Sequence, residues 1–202
     1  MDSKLLTKTK QTWNNIGNIY HILPAVNLHS VCLNGLFNHN AIKNRQHADY
    51  SEAGIQRVRA IKMLGNYPLH DYVCTFINPQ NKMSYRYQKE HRSFVIVEFL
   101  TETLTDYNWF FSKGNAASKK AEFFYKDQTT IEPSLIRQIK NRDSQDFDLK
   151  MSEILLFTNR IHPRYISRII LHSDEIVEAY YPLTERGFQF DIDHNYQFYC
   201  RV

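Results

Sequence analysis

The sparse, scattered distribution of glycine is the feature that most constrains this chain. Only six glycines occur in 202 residues, and each is isolated from the others. A dinucleotide-binding G-x-G-x-x-G turn and a P-loop both need clustered glycines, because the backbone must approach the phosphates closely. Neither motif occurs here, nor does the G-x-S-x-G turn of the α/β-hydrolases. The sequence therefore gives no support to a Rossmann dehydrogenase, a P-loop NTPase or an α/β-hydrolase.

The histidines and cysteines do not have metal-ligand spacing. None of the nine histidines lies four residues from another, and the H-E-x-x-H motif of the zincins is missing. Cys32, Cys74 and Cys200 are far apart and odd in number, which argues against both a zinc site and a disulfide scaffold. We expect no metal.

Cysteine usage and hydropathy also bear on location. Unpaired cysteines are typical of a reducing compartment. The first twelve residues lack the apolar stretch of a secretory signal, and no run of about 18 apolar residues occurs that could span a bilayer. We expect a cytoplasmic protein without membrane contact.

The secondary-structure pattern predicts one α+β domain over residues 1–202, since no repeat or Pro/Gly-rich linker divides the chain. Runs rich in β-branched and aromatic residues predict strands at 19–23, 72–77, 94–100, 153–157 and 166–171, with edge strands at 176–181 and 188–192. Apolar spacing of three and four residues predicts helices at 28–33, 51–64, 118–125 and 134–141. Residues 38–50 are polar and predict a loop, and the strands at 153–157 and 166–171 are expected to pair.

Five short segments, in this order, resemble the motifs of the DarT family of ADP-ribosyltransferases. They are Tyr20–Leu28 with Asn34-Gly35-Leu36, Ile55–Arg59, His70–Pro79 with Met83, Ser112–Ala117, and Lys150–Phe157 with Ile161-His162-Pro163 and Ile166–Leu171. Each motif alone is weak, and their collinear order over about residues 19–181 is the specific signal.

The resemblance implies an ADP-ribosyltransferase fold, in which a split pair of small sheets forms a cleft for NAD and helices lie at the periphery. NAD would be a substrate, and the acceptor would be a nucleobase of single-stranded DNA. In this family the activity is a toxin, restrained by a macrodomain antitoxin of the DarG type, and such a system can serve in phage defence.

The resemblance makes Glu153 the candidate catalytic carboxylate. Nicotinamide leaves NAD as a neutral molecule, so the enzyme must stabilise an oxocarbenium ion and deprotonate the acceptor, tasks that one carboxylate can perform. Glu153 opens an apolar strand, from which its side chain could reach a cleft. Glu122 also follows an alanine and precedes bulky residues, and it is the competing candidate.

An arginine should accompany this carboxylate. Arg59 matches the last arginine of the family's I-x-x-R-R element and would bind NAD phosphate or support the transition state, a task suited to a planar guanidinium. Val58 stands where the family has its first arginine, and Arg57 lies one place earlier. The choice between Arg59 and Arg57 stays open.

The first segment would supply the remaining NAD contacts. The resemblance assigns these contacts to His21, Ile22, Leu23, Asn27 and Gly35. Leu23 stands where the family has threonine, so one hydroxyl contact is missing.

Two clusters of basic and aromatic residues suit single-stranded nucleic acid, with phosphates on the cations and bases on the rings. The candidate residues are Lys119, Lys120 and Lys126 around Phe123–Tyr125, Tyr85 and Arg86 in a second cluster, and Asn115. The first cluster lies in residues 113–142, where seven Lys or Arg stand against three acids. An amphipathic helix with a buried Phe pair would give the same pattern.

Two alternatives to DNA modification remain. The enzyme could modify RNA or protein. The Leu23 and Val58 departures would also fit a catalytically inactive nucleic-acid-binding module with the same fold.

Overall fold

The computed structural model describes residues 15–126, 131–172, 180–194 and 198–199. Its strands are β1 (Ile19–Pro24), β2 (Leu36–Phe37), β3 (Met63–Leu64), β4 (Tyr67–Pro68), β5 (Tyr72–Phe76), β6 (Phe94–Phe99), β7 (Trp109–Lys113), β8 (Glu122–Tyr125), β9 (Glu153–Phe157), β10 (Arg160–Ile161), β11 (Ile166–Leu171) and β12 (Phe190–Ile192). Its helices are α1 (Leu28–Asn34), α2 (His39–Ile42), α3 (Ala53–Ile61), α4 (Lys82–Lys89), α5 (Glu102–Asp106), α6 (Pro133–Lys140), α7 (Phe147–Lys150) and α8 (Tyr181–Thr184). The expected α+β class is confirmed.

The main sheet is divided in the middle. Its strand order is β12-β11-β6-β1-β5-β9-β7-β8, and β1 meets β5 only at Tyr20 and Phe76. In contrast, β1 pairs with β6 over six residues and β5 with β9 over five. The sheet therefore consists of a β1 half (β12, β11, β6, β1) and a β9 half (β5, β9, β7, β8), and this is the split that the family resemblance implies.

Buried apolar side chains hold the two halves together. The largest cluster combines Ile19, Leu23 and Val97 of the β1 half with Val73 and Ile154 of the β9 half. Truncating a side chain in such a core typically costs roughly 2–5 kcal/mol. The relative position of the two halves is thus set by packing rather than by strand pairing.

Most predicted elements form within a residue or two of their expected ends. This agreement covers the strands at 19–23, 72–77, 94–100, 153–157 and 166–171, the edge strand near 188–192, and the helices at 28–33 and 134–141. The expected edge strand at 176–181 lies mostly outside the described residues.

The helix predicted at 118–125 is wrong, because residues 122–125 form the edge strand β8. Glu122 pairs with Lys113, and Phe124 with Phe111, in the antiparallel ladder to β7. Pairing with β7 and the aromatic content of the segment outweigh the helical spacing of its apolar residues.

Three further expectations also fail. The helix predicted at 51–64 is shorter, since α3 has Glu52 rather than Ser51 at its N-cap and Gly65 lies in the turn between β3 and β4. Residues 39–42 of the predicted loop form α2, where the Asn38 side chain accepts from the Ala41 amide. The strands β9 and β11 do not pair, since each half of the sheet holds one of them. Among the described residues, no helix is long and apolar enough to cross a membrane.

Candidate active site

A cleft of about 1120 Å³ opens where β1 and β5 separate. Its walls include all the residues expected to contact NAD, which are His21, Ile22, Leu23, Asn27, Gly35 and Arg59. Glu153 also lines this cleft. The split in the sheet thus brings together residues that are up to 132 positions apart in the chain.

Glu153 lies fully buried at the first position of β9. Nη2 of Arg59 donates to Oε1 at 2.6 Å and to Oε2 at 2.7 Å, and the Ala116 amide donates to Oε1 at 2.9 Å. A buried carboxylate is costly unless it is paired and hydrogen-bonded, and charge-assisted bonds of this kind offset that cost. These contacts leave Oε2 with the greater remaining capacity to accept a hydrogen bond.

Arg59 reaches Glu153 from the last turn of α3. Its Nη1 also donates to Sγ of Cys74, at 2.8 Å, so that strand β5 holds the other edge of the guanidinium. Burial alone would lower the pKa of Arg59, and Cys74 and Glu153 raise it above its ordinary value. Arg57 is exposed. Of the two candidate arginines, Arg59 is the one in contact with the carboxylate.

The Ala116 amide is held in place by the loop after β7. Gly114, at φ +82°, donates from its amide to the Ser152 hydroxyl at 3.0 Å. Nζ of Lys62, just after α3, donates to the carbonyls of Ala116 and Ser118, both at 2.6 Å. The segment that carries Arg59 therefore also fixes the loop that donates to Glu153.

Glu122 has none of these features. It is exposed on the edge strand β8, where Lys113 lies 4.0 Å from its carboxylate. It does not line the cleft. The geometry therefore distinguishes the two candidate carboxylates in favour of Glu153.

His21 connects the two halves of the sheet at the split. Its Nδ1 lies 2.8 Å from the Cys74 carbonyl, so Nδ1 carries the proton and Nε2 is left as an acceptor. Burial lowers the pKa of His21 below its ordinary value, an effect that the Cys74 carbonyl and Glu153 oppose. We interpret His21 as a neutral group at the edge of the cleft.

Asn27 and Gly35, which follow β1 in the chain, shape a second wall of the cleft. Nδ2 of Asn27 donates to the Ala48 carbonyl at 2.7 Å, and the Ala48 amide donates back to Oδ1 at 3.0 Å. Gly35 adopts φ +90°, and a Cβ atom there would lie 2.3 Å from the Ile161 carbonyl oxygen. Ile22 and Leu23 contribute buried apolar surface to this wall.

The structure adds cleft residues that were not predicted. His39 and His70 stack with their ring centroids 4.0 Å apart, and Nε2 of His70 lies 2.7 Å from Oε1 of Gln56. Burial, aided by His39 and Arg59, lowers the pKa of His70 to about 4. Gln56 was predictable in principle, because it lies three residues before Arg59 on the same face of a helix. The histidines are 31 residues apart, and no local pattern connects them.

The predicted nucleic-acid residues separate into groups. Asn115 and Arg86 line the cleft, and Lys119 and Lys120 are exposed just beyond its rim residue Ser118. Tyr85 is exposed outside the cleft.

Lys126 and Arg86 both have protein partners. Nζ of Lys126 donates to the carbonyls of Thr105 and Tyr107, at 3.1 and 3.0 Å. Arg86 contacts Glu52 and donates to the Tyr50 carbonyl at 3.0 Å. Within the described part of the chain, no group of three or more potential metal ligands occurs.

Comparisons with known proteins bear on the family and the fold of this chain. The family model "ssDNA thymidine ADP-ribosyltransferase, DarT" matches residues 20–199. The fold is similar to that of Thermosipho africanus DarTG in complex with ADP-ribose, with TM-score 0.79 and 21% identity over 90% of this chain and 50% of that one. This chain therefore spans about half the length of the Thermosipho protein.

Two structures of DarT from Thermus sp. 2.9 are also similar. The match to the complex with ADP-ribosylated ssDNA has TM-score 0.74 and 17% identity. It covers 91% of this chain and 96% of the Thermus chain. The match to the complex with NAD+ has TM-score 0.70 and 17% identity. It covers 91% of this chain and 97% of the Thermus chain. A comparison with curated protein sequences gave no match.

Proposed function

The chain belongs to the DarT family of single-stranded-DNA thymidine ADP-ribosyltransferases, and on this premise we propose that it transfers ADP-ribose from NAD to a thymidine base of single-stranded DNA. The observation that carries the proposal is the Glu153 carboxylate, which lies at the base of the cleft between the two halves of the sheet. Arg59 and the Ala116 amide hold it in a fixed orientation.

The reaction needs few groups. The bond between C1′ of the ribose and the nicotinamide nitrogen breaks, and nicotinamide leaves with the bonding electrons as a neutral molecule. The Glu153 carboxylate stabilises the positive charge that develops on the ribose. A ring nitrogen of thymine then bonds to C1′ and loses its proton to Glu153, from which the proton passes to water.

Other residues have supporting roles in this proposal. Arg59 fixes the rotamer of Glu153, and its contact with Cys74 fixes Arg59 in turn. His21, Ile22, Leu23, Asn27 and Gly35 form the wall against which NAD binds. Asn115, with the exposed Lys119 and Lys120 beyond it, borders the acceptor side of the cleft.

We further propose that the chain works as one domain and acts as a toxin. The apolar cluster that runs from Ile16 to Leu183 supports the single domain. The similarity to Thermosipho africanus DarTG supports a partner, a macrodomain antitoxin of the DarG type that removes the modification.

The geometry of the site argues against an inactive binding module. Val58 is exposed on α3 and does not line the cleft, so the missing arginine leaves the Arg59–Glu153 pair intact. Leu23 changes one contact in the wall and none to Glu153.

The proposal is tested by incubating the protein with NAD labelled in its adenosine moiety and with separate DNA, RNA and protein acceptors. We expect label on single-stranded DNA that contains thymidine. Label on RNA or protein alone would reject DNA as the acceptor. No NAD consumption with any acceptor would favour the inactive module.

A further inference from the structure

Two exposed aromatic pairs, each made of a tyrosine and a phenylalanine, lie near opposite ends of β9. Tyr85 and Phe147, 40% and 36% exposed, have ring centroids 6.5 Å apart. Tyr67 and Phe157, 46% and 38% exposed, have ring centroids 4.4 Å apart. Exposed aromatic rings can stack on the bases of single-stranded nucleic acid, so each pair is a candidate platform.

Position distinguishes the two pairs. Phe147 begins α7, and only Met151 and Ser152 separate the end of this helix from Glu153. Lys82 and Asp148, which neighbour the Tyr85–Phe147 pair on α4 and α7, line the cleft. None of the four rings lines the cleft itself. Phe157, however, is the last residue of β9, at the opposite end of this strand from Glu153. A strand that leaves the cleft beside Glu153 thus meets Tyr85 and Phe147 first.

Positive charge lies beside the Tyr85–Phe147 pair on α4, although Asp146 and Asp148 flank Phe147 on α7. Helix α4 carries Lys82, Arg86 and Lys89 and no acidic residue. Lys82 pairs with Asp148 at 2.5 Å, but both side chains are more than half exposed, and such pairs contribute little. Lys82 can therefore exchange Asp148 for a phosphate at small cost, and Lys89 is exposed beside it.

The other aromatic cluster of the sequence suits this role less well. Phe124 stacks on Phe111, whose side chain is fully buried in the core, and Lys126 is bound to backbone carbonyls.

We propose that Tyr85 and Phe147 form a stacking platform for a base that neighbours the reacting thymidine, with Lys82 and Lys89 beside the backbone phosphates. This platform rests on the proposed function, because its occupant is the single-stranded DNA acceptor. It gives the enzyme an affinity for the acceptor that is independent of NAD.

The test compares the Tyr85→Ser and Phe147→Ser variants with the matched controls Tyr67→Ser and Phe157→Ser. Binding of a fluorescein-labelled oligothymidine is followed by anisotropy, binding of NAD by calorimetry, and folding by thermal unfolding. We expect Tyr85→Ser and Phe147→Ser each to raise the Kd for oligothymidine about tenfold, as removal of one stacking ring does. NAD affinity should not change, Tyr85→Phe should keep normal affinity, and the control variants should bind as the wild type does.

The platform and the proposed function fail in different ways. If wild-type protein modifies oligothymidine but all four serine variants bind it equally well, or the control pair loses as much affinity, the platform is wrong and the function stands. If oligouridine is modified in place of oligothymidine, DNA is the wrong acceptor and the proposed function is overturned.

Discussion

The two halves of the divided sheet differ in the groups that they present to the cleft. The β9 half presents the buried Glu153 carboxyl group, to which Arg59 and the Ala116 amide donate. The β1 half and the chain that follows it present His21, whose pKa is lowered by burial, with Asn27 and apolar side chains. We infer that the β9 half governs the reaction rate and the β1 side governs NAD binding, so that substitutions in the two should separate kcat from KM.

The largest effect should come from Glu153→Gln. The amide keeps the shape of the carboxylate but neither stabilises an oxocarbenium ion nor accepts a proton, so kcat should fall by roughly 10²–10⁴-fold. Affinity for NAD, measured by calorimetry, should stay within about threefold because this wall contributes little to binding. Glu122→Gln is the matched control, and a comparable loss of kcat in that variant would reverse the choice between the two carboxylates.

Arg59→Lys should have the next largest effect. An ammonium cannot contact both oxygens of Glu153 and the Cys74 thiol at once, so we expect kcat to fall roughly tenfold to hundredfold. The same substitution at Arg57, on the exposed side of the same helix, should leave kcat unchanged. Equal losses at both positions, measured by nicotinamide release, would disprove the assignment of Arg59.

On the opposite side, Gly35→Ala should affect stability and NAD binding together. The new Cβ atom would meet the Ile161 carbonyl in a left-handed backbone, and we expect a loss of about 1–3 kcal/mol in the free energy of unfolding. Gly65→Ala is the control, because Gly65 has φ +60° but no neighbour within 4 Å of such a Cβ atom. Urea titration of both variants measures the difference, and equal destabilisation would show that only backbone strain matters.

Asn27→Ala should raise KM for NAD about fivefold and leave kcat nearly unchanged. The substitution removes both hydrogen bonds to Ala48, each contributing about 1 kcal/mol, and so frees the segment that closes this side of the cleft. Asn34→Ala, which removes an exposed contact to Ser30 at 3.5 Å, serves as the control. A fall in kcat with constant KM in steady-state assays would contradict the division of roles.

The last effect should be a pH dependence of stability due to His70. Its pKa is about 4 in the folded protein and 6.5 ordinarily, so the unfolded chain takes up a proton first as pH falls. The contribution of neutral His70 to stability is therefore present above pH 6.5 and is progressively lost as pH falls toward 4. His70→Gln, which can still donate to Gln56, should show a shallower loss of stability between pH 7 and 5. The free energy of unfolding of both proteins is measured by urea titration at several pH values in this range. An equal loss of stability with falling pH in the two proteins would contradict this role of His70.

Local sequence patterns predicted the strands that carry the site, because their apolar runs are bounded by turn residues and sit in ordinary backbone geometry. The family motifs favoured Glu153 and left Arg59 and Arg57 open, and the structure shows Arg59 in contact with Glu153. Residues 118–125 were predicted wrongly because their helical spacing competes with pairing to β7, which no local window contains. The Lys62 contacts and the His39–His70 stack were missed for the same reason, since each joins residues more than 30 positions apart.

Mass spectrometry of reacted DNA tests the central claim most directly. Wild-type protein and its Glu153→Gln variant are each incubated with NAD and two single-stranded oligonucleotides that differ only in whether thymidine or deoxycytidine fills a few positions. We predict that wild-type protein adds one ADP-ribose to a thymidine of the first oligonucleotide and none to the second, and that Glu153→Gln adds none to either. Equal modification of both oligonucleotides, or full activity of Glu153→Gln, would contradict the account.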